Sequence, residues 1–229
     1  FGIVGTNNTS SSTGALGYYA NEVAKKGYLG FVFAGSPETV CMHGSYQPIF
    51  GTNPFAIGVP AEPVPVVLDM ATAAMTYYGL IEANTAHRLI PKGIAYDKNG
   101  NITTDPGKVI EGGAIRPFDR SYKSAGLAMM VEILTGPLVG ATFAGIGELS
   151  NWGNLIFIID PELLTSKNLF KKHVAFLVKK VKNTKKLPNV KEIFVPGERG
   201  NRVTQERLKS GEIEIEENLY QQLKKFVEG

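Results

Sequence analysis

The stretch ALGYYANEVAKKGYLGFVFAGS, residues Ala15 to Ser36, sets the fold class. Its first part places apolar residues at Leu16, Tyr19, Ala20 and Val23, the spacing of one helix face, and Gly27 suits the C-terminal cap. Tyr28 to Ser36 then reads as a strand. Upstream, FGIV (Phe1 to Val4) reads as another short strand, and GTNNTSSSTG as a polar, glycine-bounded loop. Strand, helix, strand in about thirty residues is an α/β signature.

Working outward, VPVVLDMATAAM predicts a buried strand from Val64 to Leu68 that meets Asp69 at its end. MTYYGLIEANTAHRLIP has a helical pattern stopped by Pro91. YDKNGNITTDP carries an Asn-Gly turn in a surface loop. SAGLAMMVEILTGPLVGA is apolar on every face except Glu132 and reads as a buried central helix. NLIFIIDPELL is a core strand followed by Asp-Pro. Leu169 to Leu187 is an amphipathic helix with a Lys-rich polar face, expected to be solvated. EIFVPGERG reads as a strand ending in a Pro-Gly turn, and the acidic tail as a short alternating strand and a last helix.

Composition bounds the function. The chain has 229 residues, 43% apolar and 20% charged, as in a globular protein with a sizeable core. A net charge of +3 is too small an excess to imply a nucleic-acid partner. The single cysteine, Cys41, excludes an intrachain disulfide framework, fits a reducing compartment, and is expected to be a small buried residue. No apolar run is long enough to span a bilayer. FGIVGTNN has no initiator Met and starts with core-like residues, so an N-terminal part is expected to be missing, or internal gaps closed up.

The usual nucleotide and metal motifs are absent. GIGELS (Gly145 to Ser150) begins like a dinucleotide fingerprint, but no strand leads into it and no third glycine follows. His43, His87 and His173 are far apart and form no metal-ligand pattern. What remains is a set of strand ends. VVLDMAT puts small residues after Asp69, where free backbone N–H groups and the Thr72 hydroxyl are suited to a phosphate or ribose; the alternative is that Asp69 caps the next helix. Lys123 precedes a buried helix and opposes its dipole, which calls for a bound anion unless the side chain is simply exposed. VPGERG is a tight turn whose backbone can face a ligand.

In order along the chain, GALGYYANEVAKKGYLGF, PIFGTNPFAIGVP, VVLDMATA, LIPKGIAYDKNGNITTDP, YKSAGLAMMVEIL, IDPELL and VPGER resemble the malate/L-lactate dehydrogenases of the non-Rossmann type, whose relatives include ureidoglycolate and sulfolactate dehydrogenases and diketogulonate reductase. GTNP, DMAT and VPGER in sequence are the specific part. The resemblance implies an α/β fold with a layered mixed, partly antiparallel sheet and helices. It implies a cytoplasmic homodimer using NAD or NADP on a small 2-hydroxy or 2-keto acid, malate or lactate foremost. Cofactor contacts would fall at Ser36, at Asp69, Met70, Ala71 and Thr72, at Lys123, and at Pro196, Gly197 and Glu198. GTNPFAIGVP would be a shaping turn beside that site. Residues 1–160 would form the cofactor-binding domain, with 161–229 packing on it.

Three departures matter. The family has a histidine acid or base in the loop ahead of GALGYY; here that position falls at Ser12 or Thr9, and neither hydroxyl titrates near neutral pH. No Ser-His-Gly motif with its Arg is present, so the proton donor and substrate cation are expected in the missing part, and no catalytic residue is assigned. Ser124 stands where a glycine is usual, adding bulk in a tight spot. The rival readings are a nicotinamide-nucleotide-binding protein without turnover and a plain α/β interaction module.

Overall fold

The computed structural model describes residues 1–148 and 150–228. A five-stranded antiparallel sheet has the order β1 (Gly2–Thr9), β9 (Trp152–Ile159), β2 (Leu29–Ala34), β5 (Phe55–Val59), β6 (Val66–Met70). A smaller mixed sheet runs β4 (Pro48–Phe50), β3 (Val40–Cys41), β8 (Ala114–Ile115), β7 (Ala95–Tyr96), with β3 and β8 parallel. The α/β class with a mixed, partly antiparallel sheet is as the sequence implied.

Helix α1 (Leu16–Lys25) lies on the large sheet. Side chains alternate along a strand, so Val32 and Ala34 of β2 face α1. They form a core with Leu16, Ala20, Ala56 and Val67. The opposite face carries a phenylalanine ladder, with Phe31 stacked on Phe157 at 4.5 Å. A second core joins the small sheet to α2 (Tyr77–Thr85), α3 (Pro106–Ile110) and α4 (Tyr122–Thr135), through Val40, Leu80, Val109, Ile115 and Ala128. Cys41 is buried there, and burial pushes its thiol up. Three further helices follow: α5 (Lys167–Lys182), α6 (Glu198–Ser210) and α7 (Glu217–Glu228).

Several local expectations are corrected. β1 does not stop at Val4. It continues through the polar GTNNT, because those side chains bond to its neighbours: Asn154 Nδ2 donates to Thr6 Oγ1 and Thr9 Oγ1 to Trp152 O. Asp69 lies inside β6, opposite Ala56, and β6 is an edge strand rather than a buried one. α2 ends at Thr85, before Pro91, because His87 turns to a φ of 52°. α4 is not buried on all sides. Glu132 faces inward, while Met129, Met130 and Ile133 are exposed.

In the C-terminal part, residues 191–195 form no strand, although Val67 N donates to Pro196 O at the free edge of β6. The segment after Gly211 is likewise not a strand, and α6 was not anticipated. Gly145 begins a turn, not a strand-to-helix junction; Leu149 of GIGELS lies outside the described residues.

Candidate functional site

The ends of β1, β2 and β6 and the starts of α1 and α2 enclose a cleft of about 540 Å³, within the usual range of about 300–1,000 Å³ for small-molecule sites. One wall is the loop Ser11 to Gly14 with Thr9. The rest of the lining includes Ser36, Glu38, Asp69, Met70 and Ala71, together with Tyr77, Tyr78 and Trp152. Both positions considered for the family histidine, Thr9 and Ser12, therefore line the cleft. None of the three histidines does, and the charged lining residues are Glu38 and Asp69. Among the described residues no group of His, Cys, Asp and Glu is placed to hold a metal.

GTNP is the hub of the side that holds Ser36. Ser36 Oγ accepts the Thr52 N–H at 3.0 Å. Thr52 O in turn accepts both the N–H and the hydroxyl of Thr72, at 2.9 and 3.0 Å. Asn53 is fully buried at a φ of 40° and donates from Nδ2 to Glu132 Oε2 at 2.6 Å and to Ala128 O at 3.0 Å. A Cβ at Gly51 would overlap Ser36 O and Oγ, so only glycine lets the turn sit this close. Four residues thus join the end of β2, the end of β6 and α4.

Asp69 caps a helix, but not the next one. α1 starts at Ala15 without a side-chain cap of its own, and Asp69 Oδ2 accepts the Gly17 N–H at 2.8 Å from across the sheet. A Cβ on Gly17 would stand 2.9 Å from Asp69 Oδ2. The next helix, α2, is capped by Thr76.

The other site residues fall in three places. Thr72 is fully buried and its donors are spent on Thr52, so in this structure it supports the floor and offers no free group to the cleft. Lys123 is exposed in the first turn of α4, outside the cleft lining. The anion at that helix start is internal. Asp119 accepts the Ser121 N–H at 2.8 Å and both the Ser121 and Ser124 hydroxyls, which hold its carboxyl down to about 2. Ser124 thus turns its extra bulk into a hydrogen bond. Composition gave no hint of Asp119, whereas the D-x-S spacing of a capping turn did.

Pro196, Gly197 and Glu198 sit beside Val67, three residues from Met70 along β6, or roughly 10 Å. Glu198 lines a second groove, of about 560 Å³, with Asn21, Lys25 and Arg202. Its carboxylate is held below its ordinary value by Lys182 Nζ at 2.5 Å. Lys182 also lies 3.6 Å from Glu192, which Arg202 holds with two hydrogen bonds. This network fixes the VPGER turn to α5 and α6.

Comparison with known proteins follows the same motifs. A sequence model described as malate/L-lactate dehydrogenase matches residues 1–224. The malate/(S)-sulfolactate dehydrogenase of Methanothermus fervidus is 36% identical over 234 residues, covering 99% of this chain and 66% of that protein. The crystal structure of a dehydrogenase from Sinorhizobium meliloti superposes with a TM-score of 0.87 at 31% identity, covering 97% of this chain and 66% of that one. The sulfolactate dehydrogenase of Methanocaldococcus jannaschii gives 0.84 at 34% identity, covering 98% and 65%. The chain thus spans 65–66% of the length of these three.

Proposed function

The chain belongs to the malate/L-lactate dehydrogenase family, and from that premise we propose that it takes part in an NAD- or NADP-dependent dehydrogenase that moves hydride between nicotinamide and a small 2-hydroxy or 2-keto acid. Malate or lactate is the proposed substrate. The observation that carries the reading is convergence: Ser36, Asp69, Met70 and Ala71, drawn from two separate motifs, line one cleft.

The cleft suits a nucleotide. Its hydroxyl-rich loop and the small residue at Ala71 allow ribose and amide groups to approach the backbone. The cofactor, when bound, supplies the hydride chemistry. The chain's own residues bind and orient. Ser36 and the loop hydroxyls offer donors, Tyr77 and Tyr78 line the cleft, and β6 leads from Met70 back to the Pro196–Glu198 turn. We assign the nicotinamide end to the main cleft and the rest of the dinucleotide to the direction of that turn, with Lys123 as a flexible cation outside the lip. Residues 1–160 serve as the cofactor-binding domain, with 161–229 packed on it. A cytoplasmic homodimer is part of the proposal, and the exposed Met129, Met130 and Ile133 of α4 support a partner surface. Among the described residues no helix is long and apolar enough to cross a membrane.

The second reading, nucleotide binding without turnover, is favoured by one observation. The lining residues include no imidazole and no cation for a substrate carboxylate. One experiment separates the two. Trp152, the single tryptophan, lies in the cleft, so its emission should fall as bound NADH or NADPH accepts its energy. The same protein is then mixed with NADH and oxaloacetate, pyruvate or sulfopyruvate. Loss of the NADH absorbance band supports the dehydrogenase. Quenching without loss supports the binding protein, and neither would sink both.

A further inference from the structure

Among the described residues Glu132 is the one carboxylate taken out of water. It is 9% exposed, on the inner face of α4. No residue of opposite charge pairs with it among the described residues. Two hydrogen bonds hold it instead. Asn53 Nδ2 donates to Oε2 at 2.6 Å and Ala144 N to Oε1 at 3.0 Å. The first of the two comes from the GTNP turn.

The same carboxyl lines a small chamber of about 20 Å³, room for a single water. Gly35, Ser36, Pro37, Glu38 and Trp152 line both this chamber and the main cleft. Glu132 therefore stands directly behind the cleft wall. Burial raises its pKa, with the Asn53, Ala144 and Gly51 donors pulling down and the facing Glu38 pushing up.

Thr52 is tied to Ser36 and Thr72, and Pro54 O to Ala34 N, so the Asn53 corner is the part of the turn that depends on Glu132. Asn53 sits in the left-handed region, and its Oδ1 is buried without a partner. Its amide is anchored only by Glu132 and Ala128 O. Once the carboxyl is neutral it becomes a poorer acceptor for both N–H groups. The segment released carries Thr52, whose N–H fixes Ser36 Oγ.

We propose that Glu132 is a positioning residue, which as a carboxylate sets the cleft wall through Asn53 and the Gly51–Pro54 turn, and which loosens Ser36 when it takes up a proton. The inference rests on the nucleotide reading only where a nucleotide is the probe. The first arm therefore uses the full chain without nucleotide and follows acrylamide quenching of Trp152 against pH. Quenching rises as pH falls through the Glu132 titration, and Glu132→Gln abolishes the transition. Glu38→Gln keeps it but moves the midpoint to lower pH, because the facing like charge is gone. A transition shared by the parent and Glu132→Gln overturns the proposal. Should Glu132→Gln fail to fold, an unmoved midpoint in Glu38→Gln overturns it alone.

The second arm titrates NADH at neutral pH. Glu132→Gln weakens binding by about tenfold, the scale of one charge-assisted hydrogen bond. Adding Ser36→Ala weakens it little further, since both act through one turn; multiplicative losses would count against the shared route. A parent that ignores NADH while Trp152 titrates as described removes the nucleotide reading and leaves the role of Glu132 standing.

Discussion

Replacing Gly17 with Ala offers a sharp test of the cleft geometry, because the ordinary expectation has the opposite sign. Near the start of a helix, Gly→Ala stabilises by about 0.4–1 kcal/mol where the backbone tolerates it. Here the new Cβ would lie 2.9 Å from Asp69 Oδ2 and 3.0 Å from Asp69 Cβ. It displaces the carboxylate that caps α1 at 2.8 Å. Loss of a cap costs about 1 kcal/mol, and loss of a negative charge at the helix start about 0.3–1 kcal/mol more. Gly17→Ala and Asp69→Ala should therefore each destabilise by about 1.5 kcal/mol. For a chain of this length that lowers Tm by about 3–6 °C. The two share one interaction, so the double variant should fall little further than the worse single, a coupling of about 1.5 kcal/mol. Asp69→Asn keeps an oxygen for the Gly17 N–H and should lose less than half as much. Thermal melts of the parent and these four variants decide the matter. A Gly17→Ala chain that melts higher than the parent, or two losses that simply add, would refute the cap across the sheet.

Three further outcomes are expected. Ser36→Ala strips the Thr52 N–H of its acceptor; it should cost about 1–3 kcal/mol in a denaturant melt and weaken NADH binding measured by Trp152 emission. Lys123→Ala should leave the melt within about 0.5 kcal/mol of the parent, as an exposed side chain does, yet lower NADH affinity if it meets the cofactor; equal affinity would remove it from the site. Glu192 and Glu198 are held below their ordinary value, by Arg202 and Lys182 respectively. Their contribution is thus present above the unfolded pKa and lost as pH falls through the lowered folded value. Hydrogen exchange in α6 should accelerate below about pH 4, and Lys182→Met should move that onset upward.

The parts that could be read from the chain were those in which neighbours decide structure. The α1 face at Leu16 and Ala20, the strand after it and the Asp-Pro break at Asp160 are local patterns, and the structure has them. Contacts from afar decided the rest. GTNNT looks like a loop until β9 supplies bonding partners for its polar side chains. Helix α6 was missed because ERGNRVTQERLKS has almost no apolar face, although glycines at 197 and 211 bracket a run of good helix formers. GTNP was recognisable as a motif, but not its reason. Glu132 lies 79 residues away from Asn53, and no spacing rule links a buried acid to a turn. Lys123 was read as calling for an outside anion because Asp119, four residues earlier, was not recognised as the acid that braces the Ser121 cap.

The pairing of β1 with β9 bears on how the protein is made. Gly2 meets Ile158 and Thr9 meets Trp152, so β1 waits for β9, the last of this sheet's strands along the chain. Until β9 has left the ribosome, Ile3 and Val4 have no neighbour, and the loop that follows β1 has no fixed wall to face. Such long-range closure is slow, and an unpaired apolar edge during that interval invites association with other chains. The β1–β9 pairing thus completes only once residue 158 has emerged, whatever the other strands have done by then.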